Sequence, residues 1–151
     1  MNPKRYGRFT GKPSAYNSGR AQSCCRCPDS RIRMPIEQPI RRDFWVDVLG
    51  AELYREYGGT SVVLRFAGTW LLLVSGGEPT AGKPGVVFSP PSDPDQVSHA
   101  MTLRVADCQA AYGALRARGA TFLTPPHEWG AEVRCFLRDP DGHLVEISQS
   151  V

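Results

Sequence analysis

The chain has 151 residues, 41% of them hydrophobic and 22% charged, an ordinary composition for a globular protein that is long enough to bury a core. Residues 1–34 hold eight basic residues against one acid, whereas residues 35–151 hold ten against 14, so the net charge of +3 comes from the leading segment. This balance argues against nucleic-acid binding by the main part of the chain. No apolar run approaches the ~20 residues of a membrane helix, which argues against a membrane protein.

Residues 1–30 are predicted to be a basic, disordered tail outside the fold. The run SCCRCPD contains Cys24, Cys25 and Cys27 and resembles half of a zinc site, but a closed site needs four ligands and no histidine lies nearby. Phosphate contacts by the tail are the one route left to nucleic acid. The five cysteines form an odd set without a secretory signal, which indicates free thiols and a cytoplasmic protein.

The patterned region opens with a predicted strand over 31–36, where apolar residues alternate with polar or small ones. Pro39 suits the first turn of a helix and Gly50 its end, with apolar residues at helical spacing between them. Three strands follow, separated by turn signals that contain glycine. We predict them near 52–57, 61–66 and 70–75.

The second half repeats this order. HAMTLRV predicts a strand near 99–105, and Asp107 is a suitable N-cap for a helix over 108–118 that ends at Gly119. Further strands are predicted near 121–124, 133–138 and 143–148.

The last two strands are joined by DPDG, residues 139–142, which has the composition of a tight turn. A tight turn predicts that Arg138 faces His143, that Cys135 lies beside Glu146 and that His143 is exposed. The turn alone therefore needs no functional explanation.

Each half thus predicts a strand, a helix and three strands, which is an α+β fold of two βαβββ modules. DVLGAEL matches RARGATF, and TWLLLVS matches GHLVEIS. We assign one domain to 31–151, with module one at 31–76, a Pro/Gly-rich linker at 77–96 and module two at 97–150. Because neither module can cover its own sheet, we expect the two curved mixed sheets to pair around a shared cup.

Three segments, FWVDVLGAEL, RVADCQAAYGALRARGATF and FLRDPDGHLVEIS, resemble the vicinal oxygen chelate superfamily. This superfamily includes glyoxalase I, bleomycin-resistance proteins and extradiol dioxygenases. The resemblance covers about residues 31–150 and implies paired βαβββ modules and a homodimer. It does not fix the activity, because one fold hosts many chemistries.

Metal-using members of the superfamily place one ligand on the first and last strand of each module. The resemblance carries these places to Arg31, Leu73, Ala100 and Glu146, of which only Glu146 could bind a catalytic metal. His99 lies one residue from the expected place, and such an offset turns a side chain to the other face of a strand. Since catalytic zinc or iron needs about three protein ligands, we expect no cofactor. A divalent metal held by His99 and Glu146 stays open as an alternative.

Strand alternation gives an apolar cup wall with one cation, one anion and one hydroxyl, which is typical of a small-molecule site. Arg104 is predicted to pair with Glu146, which is the best candidate for a catalytic residue. The loop TPPHEWG either folds over the cup, so that Trp129 stacks on a ligand, or packs as a surface loop. The predicted wall consists of Leu71, Leu73, Thr102, Arg104, Cys135, Leu144 and Glu146.

Three hypotheses follow from this site. The first is a protein of the glyoxalase/bleomycin-resistance type that binds a small organic molecule without a complete metal site. The second is a divalent-metal-dependent lyase, isomerase or dioxygenase with a divergent ligand set. The third is a metal-free enzyme in which Glu146 acts as the general base.

Overall fold

The computed structural model describes residues 31–37 and 41–151. The predictions for residues 1–30 and for Pro39 lie outside the described residues. Within them, the helical elements are a π-helical segment, Phe44–Val48, and one α-helix, α1 (Cys108–Ala117). The strands are β1 (Arg31–Ile36), β2 (Glu52–Tyr57), β3 (Ser61–Phe66), β4 (Thr69–Ser75), β5 (Ala100–Arg104), β6 (His127–Trp129), β7 (Glu132–Arg138) and β8 (Leu144–Ser150).

The strands form two four-stranded mixed sheets with the same topology. The first sheet has the order β1-β4-β3-β2 and the second the order β5-β8-β7-β6. The pairs β1–β4 and β5–β8 are parallel, and the remaining pairs are antiparallel. This repeat confirms the predicted α+β class with two modules. The two sheets are not closed into a single barrel.

Both helical segments end at the predicted glycines. Gly50 has a φ of 81° and donates its N–H to the carbonyl of Val46, 3.1 Å away. Gly119 has a φ of 98°, a conformation that L side chains rarely adopt. At the start of α1, the carboxylate of Asp107 accepts the N–H of Ala110 at 2.9 Å, which confirms the predicted N-cap.

The strand predicted over 121–124 is wrong. Phe122 makes only an isolated bridge to Leu137, and the edge strand of the second sheet is β6, which begins at His127. The physical reason is the pair Pro125 and Pro126, since proline has no N–H to donate to a ladder. The strand therefore resumes only after the prolines.

One face of each sheet packs into a shared hydrophobic cluster together with α1 and the π-helical segment. Trp45 anchors the π-helical segment there, with its ring edge-on to Phe66 at 5.7 Å between centroids. We call the opposite face of each sheet, which points away from this cluster, its open face. The buried strand residues of this cluster are Met34, Ile36, Val62, Leu64, Phe66, Leu71, Leu73, Cys135, Leu137, Val145 and Ile147.

The DPDG turn folds around the side chain of Asp139. Its Oδ1 accepts the N–H groups of Asp141, at 3.0 Å, and of His143, at 2.8 Å. Gly142 exits the turn with a φ of 89°, which favours glycine. Asp139 is buried and its Oδ2 has no hydrogen-bond partner among the described residues. Burial therefore raises the pKa of Asp139 to about 6.

The same turn joins the second sheet to the first. The Oδ1 of Asp141 accepts the N–H of Glu37 at 2.9 Å. The Nε2 of His143 lies 2.6 Å from the carbonyl oxygen of Pro35, so this ring nitrogen carries the proton and donates it. His143 is only 3% exposed, so the prediction that it is exposed is wrong. We call these two contacts, together with the turn, the clasp.

We expect Asp139→Asn to flatten the dependence of stability on pH. The pKa of Asp139 rises from 3.8 to about 6 on folding, so its contribution to stability is fully present below about pH 3.8 and lost as the pH rises through 6. The loss is on the order of 2 kcal/mol between pH 4 and 7. Urea unfolding of both proteins across this range measures it. Parallel stability curves for the two proteins would contradict the assignment, whatever the absolute stability of the variant.

Candidate functional site

The open face of the second sheet brings together the polar residues of four strands. Glu146 on β8 is flanked by Thr102 on β5 and Phe136 on β7. One step along, Ser148 is flanked by Arg104 and Arg134. This face contains the predicted site residues Thr102, Arg104, Leu144 and Glu146 and, on the edge strand β6, Trp129.

Glu146 is held by two neighbours on this face. Thr102 donates its hydroxyl to Oε2 at 2.5 Å, and a guanidinium nitrogen of Arg134 lies 3.6 Å from Oε1. The Glu146 side chain is 14% exposed, so it stays open to a bound molecule from one side. The carboxylate therefore has a hydroxyl donor and a cationic partner without help from a ligand.

Arg104 does not pair with Glu146, contrary to the sequence prediction. Its guanidinium donates to Glu132 Oε1 at 2.6 Å and to the hydroxyl of Ser150 at 2.8 Å. The hydrogen bond from Arg104 lowers the pKa of Glu132, and the charges of both arginines add to this effect. Arg134 is the second cationic partner of Glu132, because its Nε lies 2.7 Å from the other carboxylate oxygen.

These four residues, Arg104, Glu132, Arg134 and Glu146, form the ionic row. It contains two cations and two anions, so its formal charge is zero. Arg134 is the central member because it contacts both carboxylates. The row leaves the face polar at its middle and apolar at its end.

A cavity lies at that end, over β6 and β7. Its volume is about 770 Å³. Trp129 is 66% exposed and His127 pairs with Arg134 across the two strands. The proline loop and Trp129 line this cavity, and stacking of Trp129 on a ligand stays a prediction. The lining residues are Thr124, Pro125, Pro126, His127, Trp129, Arg134 and Phe136.

Three of the predicted wall residues face the other way. Leu71, Leu73 and Cys135 are at most 1% exposed and belong to the hydrophobic cluster. In β4 the open face carries Leu72, which is paired with Arg33 on β1 and Val63 on β3. The prediction was wrong because the assumed match of TWLLLVS with GHLVEIS is offset by one residue, which exchanges the two faces of a strand.

The prediction for Cys135 is wrong because the assumed register is also shifted by one residue. It pairs with Ile147, and Phe136 takes the place beside Glu146, because the β7–β8 register sets Arg138 against Leu144 and not against His143. The Sγ atoms of Cys108 and Cys135 lie 3.7 Å apart, and both thiols are buried and free. Burial raises the pKa of Cys135 to about 12, so this thiol is a core residue and not a nucleophile.

Sequence reasoning missed Arg134 and Phe136. Each alternates with the buried residues of β7, so the period-two pattern in EVRCFLR carried the necessary signal. Arg134 was passed over because Arg104 had been assigned to Glu146, and a sequence gives no cross-strand register by which to choose between two arginines. His127 was named only as part of the loop.

The residues at the superfamily's metal positions do not fit a catalytic metal. With the register corrected, Leu72 takes the place assigned to Leu73. The four metal positions then hold Arg31, Leu72, Ala100 and Glu146. Arginine, leucine and alanine side chains offer no suitable donor, and zinc or iron sites use about three protein ligands. Within residues 31–37 and 41–151, no group of three or more His, Cys, Asp or Glu side chains could hold an ion.

His99 immediately precedes β5 and lies near His143. Its ring centroid is 6.2 Å from that of His143, and its Nδ1 lies 3.3 Å from the hydroxyl of Ser98. The contacts of Glu146 are with Thr102 and Arg134 instead. The alternative pair of His99 and Glu146 is therefore not supported as a metal site.

The sequence matches the family profile of the Glyoxalase/Bleomycin resistance protein/Dioxygenase superfamily over residues 41–147. The chain belongs to this superfamily. No curated protein matches the chain. Among the helices of the described residues, none has the length and apolar character required to cross a bilayer.

Solved structures of the superfamily share the fold at low identity. TnmS3, an antibiotic binding protein from Streptomyces sp. CB03234, is 22% identical with a TM-score of 0.60, over 82% of this chain and 95% of its own. TioX from Micromonospora sp. ML1 is 20% identical with a TM-score of 0.57, over 82% and 98%. Lactoylglutathione lyase from Agrobacterium tumefaciens is 18% identical with a TM-score of 0.60, over 79% and 90%.

We expect Glu146 to hold no stoichiometric metal. The test uses the full chain with Cys24, Cys25 and Cys27 replaced by serine, so that thiols of the leading segment cannot contribute ions. Elemental analysis after purification without chelators should give well below one equivalent of zinc, iron, nickel or manganese. One equivalent that disappears in Glu146→Gln would show that the donor set has been wrongly identified.

Proposed function

We propose that this protein binds a small organic molecule on the open face of its second sheet and does so without a metal. The observation that carries the proposal is the cavity of about 770 Å³ over β6 and β7. Sites for small molecules usually enclose 300–1,000 Å³ and combine apolar walls with a few polar groups. Binding needs only this shape and these contacts, so the missing metal donors are no obstacle.

The lining indicates the class of molecule. Trp129, His127 and Phe136 offer ring faces and edges, and two prolines add apolar surface. Aromatic side chains favour flat, unsaturated guests through offset or edge-on packing. Among the described residues that line the cavity, Arg134 is the one with a permanent charge, and it is shared with the ionic row. The site therefore favours a largely apolar aromatic molecule that carries a polar or anionic substituent near Arg134.

The described relatives support binding but do not identify the guest. TnmS3 is an antibiotic binding protein, and it has the same fold over most of its length. An identity of 22% transfers the architecture and not the ligand. The proposal for this chain therefore depends on its own cavity.

A metal-free enzyme in which Glu146 acts as the general base, the third hypothesis from the sequence, is favoured by one observation. The carboxylate is positioned on the open face by Thr102 and Arg134 and keeps one exposed side. A positioned carboxylate can act as a general base without a metal. If a substrate were found, Glu146→Gln should abolish turnover and leave binding intact, whereas a pure binding protein shows no turnover to lose.

We also propose that the protein is cytoplasmic and that residues 31–151 form a single domain. The support for the compartment is the pair of free, buried thiols, Cys108 and Cys135, which is typical of a reducing environment. The support for the domain is the continuous hydrophobic cluster, which includes residues of both sheets.

The Trp129→Ala variant should bind an aromatic probe about tenfold more weakly than the parent protein. The probe is 8-anilinonaphthalene-1-sulfonate, whose fused rings suit the aromatic lining and whose sulfonate suits Arg134. Fluorescence titration of the full chain measures the dissociation constant. Mass spectrometry of material extracted from freshly purified protein then searches for a natural guest.

Leu123→Ala is the matched control for this titration. Leu123 is 48% exposed on the connection between α1 and β6 but does not line the cavity. Equal losses in the two variants would mean that the dye binds any exposed apolar surface, and the site assignment would fall.

We propose, in addition, that two copies associate through their open faces. The support is the exposure of large aromatic residues on both sheets: Tyr54 and Tyr57 on β2 are 57% and 48% exposed, and Trp129 on β6 is 66% exposed. Tyr54 packs edge-on against Trp70 at 4.8 Å, which makes a preformed aromatic surface on the first sheet. Contiguous exposed apolar surface is typical of protein interfaces. A second copy would cover both faces and enclose the cavity.

Tyr54→Glu should shift the protein from dimer to monomer, because the variant loses the ring that packs against Trp70 and brings a charge into the proposed interface. Sedimentation velocity at micromolar concentration measures the assembly. Gln109→Glu, on the exposed surface of α1, introduces the same charge away from the sheets and should leave the dimer intact. A parent protein that sediments as a monomer would refute the dimer and would leave the probe-binding test unaffected.

A further inference from the structure

A second cavity lies where the clasp joins the two halves of the chain. Its volume is about 270 Å³. Its wall comes from three sources: β1 of the first sheet, the connection before β5, and the start of β8. None of its lining residues belongs to the 770 Å³ cavity. They are Arg33, Pro35, Phe88, Ser89, Pro91, Ser92, Gln96, Val97, Ser98, His99, His143 and Leu144.

The polar side chains of this wall are mostly hydrogen-bond donors. Arg33 supplies a permanent positive charge and forms no ion pair with the described residues. The rings of His99 and His143 lie near each other, with centroids 6.2 Å apart. The hydroxyls of Ser89, Ser92 and Ser98 and the side-chain amide of Gln96 complete the polar lining. Among the described residues that line the cavity, none carries a carboxylate.

The aspartates close in sequence to the lining residues Ser92, Gln96 and His143 have other partners. Asp95 pairs with Arg138, and Asp93 accepts the side-chain amide of Gln96 at 2.6 Å. Asp139 accepts two backbone N–H groups within its own turn, and Asp141 accepts the N–H of Glu37. The charge of Arg33 is thus left for an incoming group.

We propose that this cavity is a second binding site, for a small molecule that carries an oxyanion, either a carboxylate or a phosphate. Arg33 is the anchor, because a guanidinium matches the two oxygens of such a group with parallel hydrogen bonds. Serine hydroxyls and the ring of His99 donate to the remaining oxygens. The volume of about 270 Å³ suits the anionic group and a few further atoms.

Occupancy of this site stabilises the junction of the two halves. Arg33 belongs to β1, whereas His143 belongs to the clasp and His99 to the connection that precedes β5. An anion that contacts all three binds only where the clasp is closed. Ligands that bind only the folded state raise its stability in proportion to the logarithm of their concentration. The melting temperature should therefore rise with anion concentration beyond the effect of ionic strength.

The experiment titrates the full chain with sodium phosphate and, separately, with sodium succinate, against sodium chloride at matched ionic strength. The readouts are the melting temperature and the imidazole NMR resonances of the three histidines. His127 lines the other cavity and serves as an internal control. The expected result is a saturable shift of the His99 and His143 resonances with either anion, an unchanged His127, and a raised melting temperature. A response to phosphate alone or to succinate alone also supports the site and identifies the anion.

Arg33→Gln should weaken binding about tenfold, as expected for the loss of one charge-assisted pair. Arg31→Gln is the matched control, because Arg31 lies on the same strand and face but does not line the cavity. Trp129→Ala should bind these anions as the parent does, which separates this site from the one on the open face. Equal losses at Arg31 and Arg33, equal shifts of all three histidines, or no shift beyond that of chloride would each overturn the proposal.

Discussion

The turn at residues 139–142 is the constraint on which the rest of the structure depends. By folding around the carboxylate of Asp139, it fixes the β7–β8 register, in which Arg138 lies opposite Leu144. That register puts Phe136 beside Glu146 and turns Cys135 into the core. The same turn holds the first sheet through the backbone of β1. One four-residue segment thus determines both the composition of the open face and the junction of the two halves.

The order of elements could be predicted from the sequence because period-two alternation and glycine stops are local signals. Gly50, Asp107 and Gly119 have the predicted roles. The faces of β4 and β7 could not be predicted as securely, because register is a relation between strands and an error of one residue moves Leu73 or Cys135 from one face to the other. The face on which Glu146, Thr102 and Leu144 lie could be predicted, because apolar and polar residues alternate clearly along β5 and β8.

The ionic row explains why Glu146 can occupy a sheet face without a metal. A carboxylate that is 14% exposed needs compensation, and Thr102 and Arg134 provide a hydrogen bond and a charge. Arg104 compensates Glu132 in the same way. Because each anion has a cation from a different strand, the row also ties β5, β7 and β8 together. The polar centre of the face is therefore part of the fold as well as a boundary of the cavity.

The two sides of each sheet face different physical demands, and this separates fold from function. The buried side must be apolar and close-packed, as the cluster around Leu64, Leu71, Val145 and Ile147 is, so its sequence pattern identifies the superfamily. The open side needs only to satisfy its own charges. Arg31 and Leu72 are as compatible with the sheets as metal donors would be, because neither belongs to the hydrophobic cluster. The superfamily's fold can therefore persist while the chemistry of its open face changes completely.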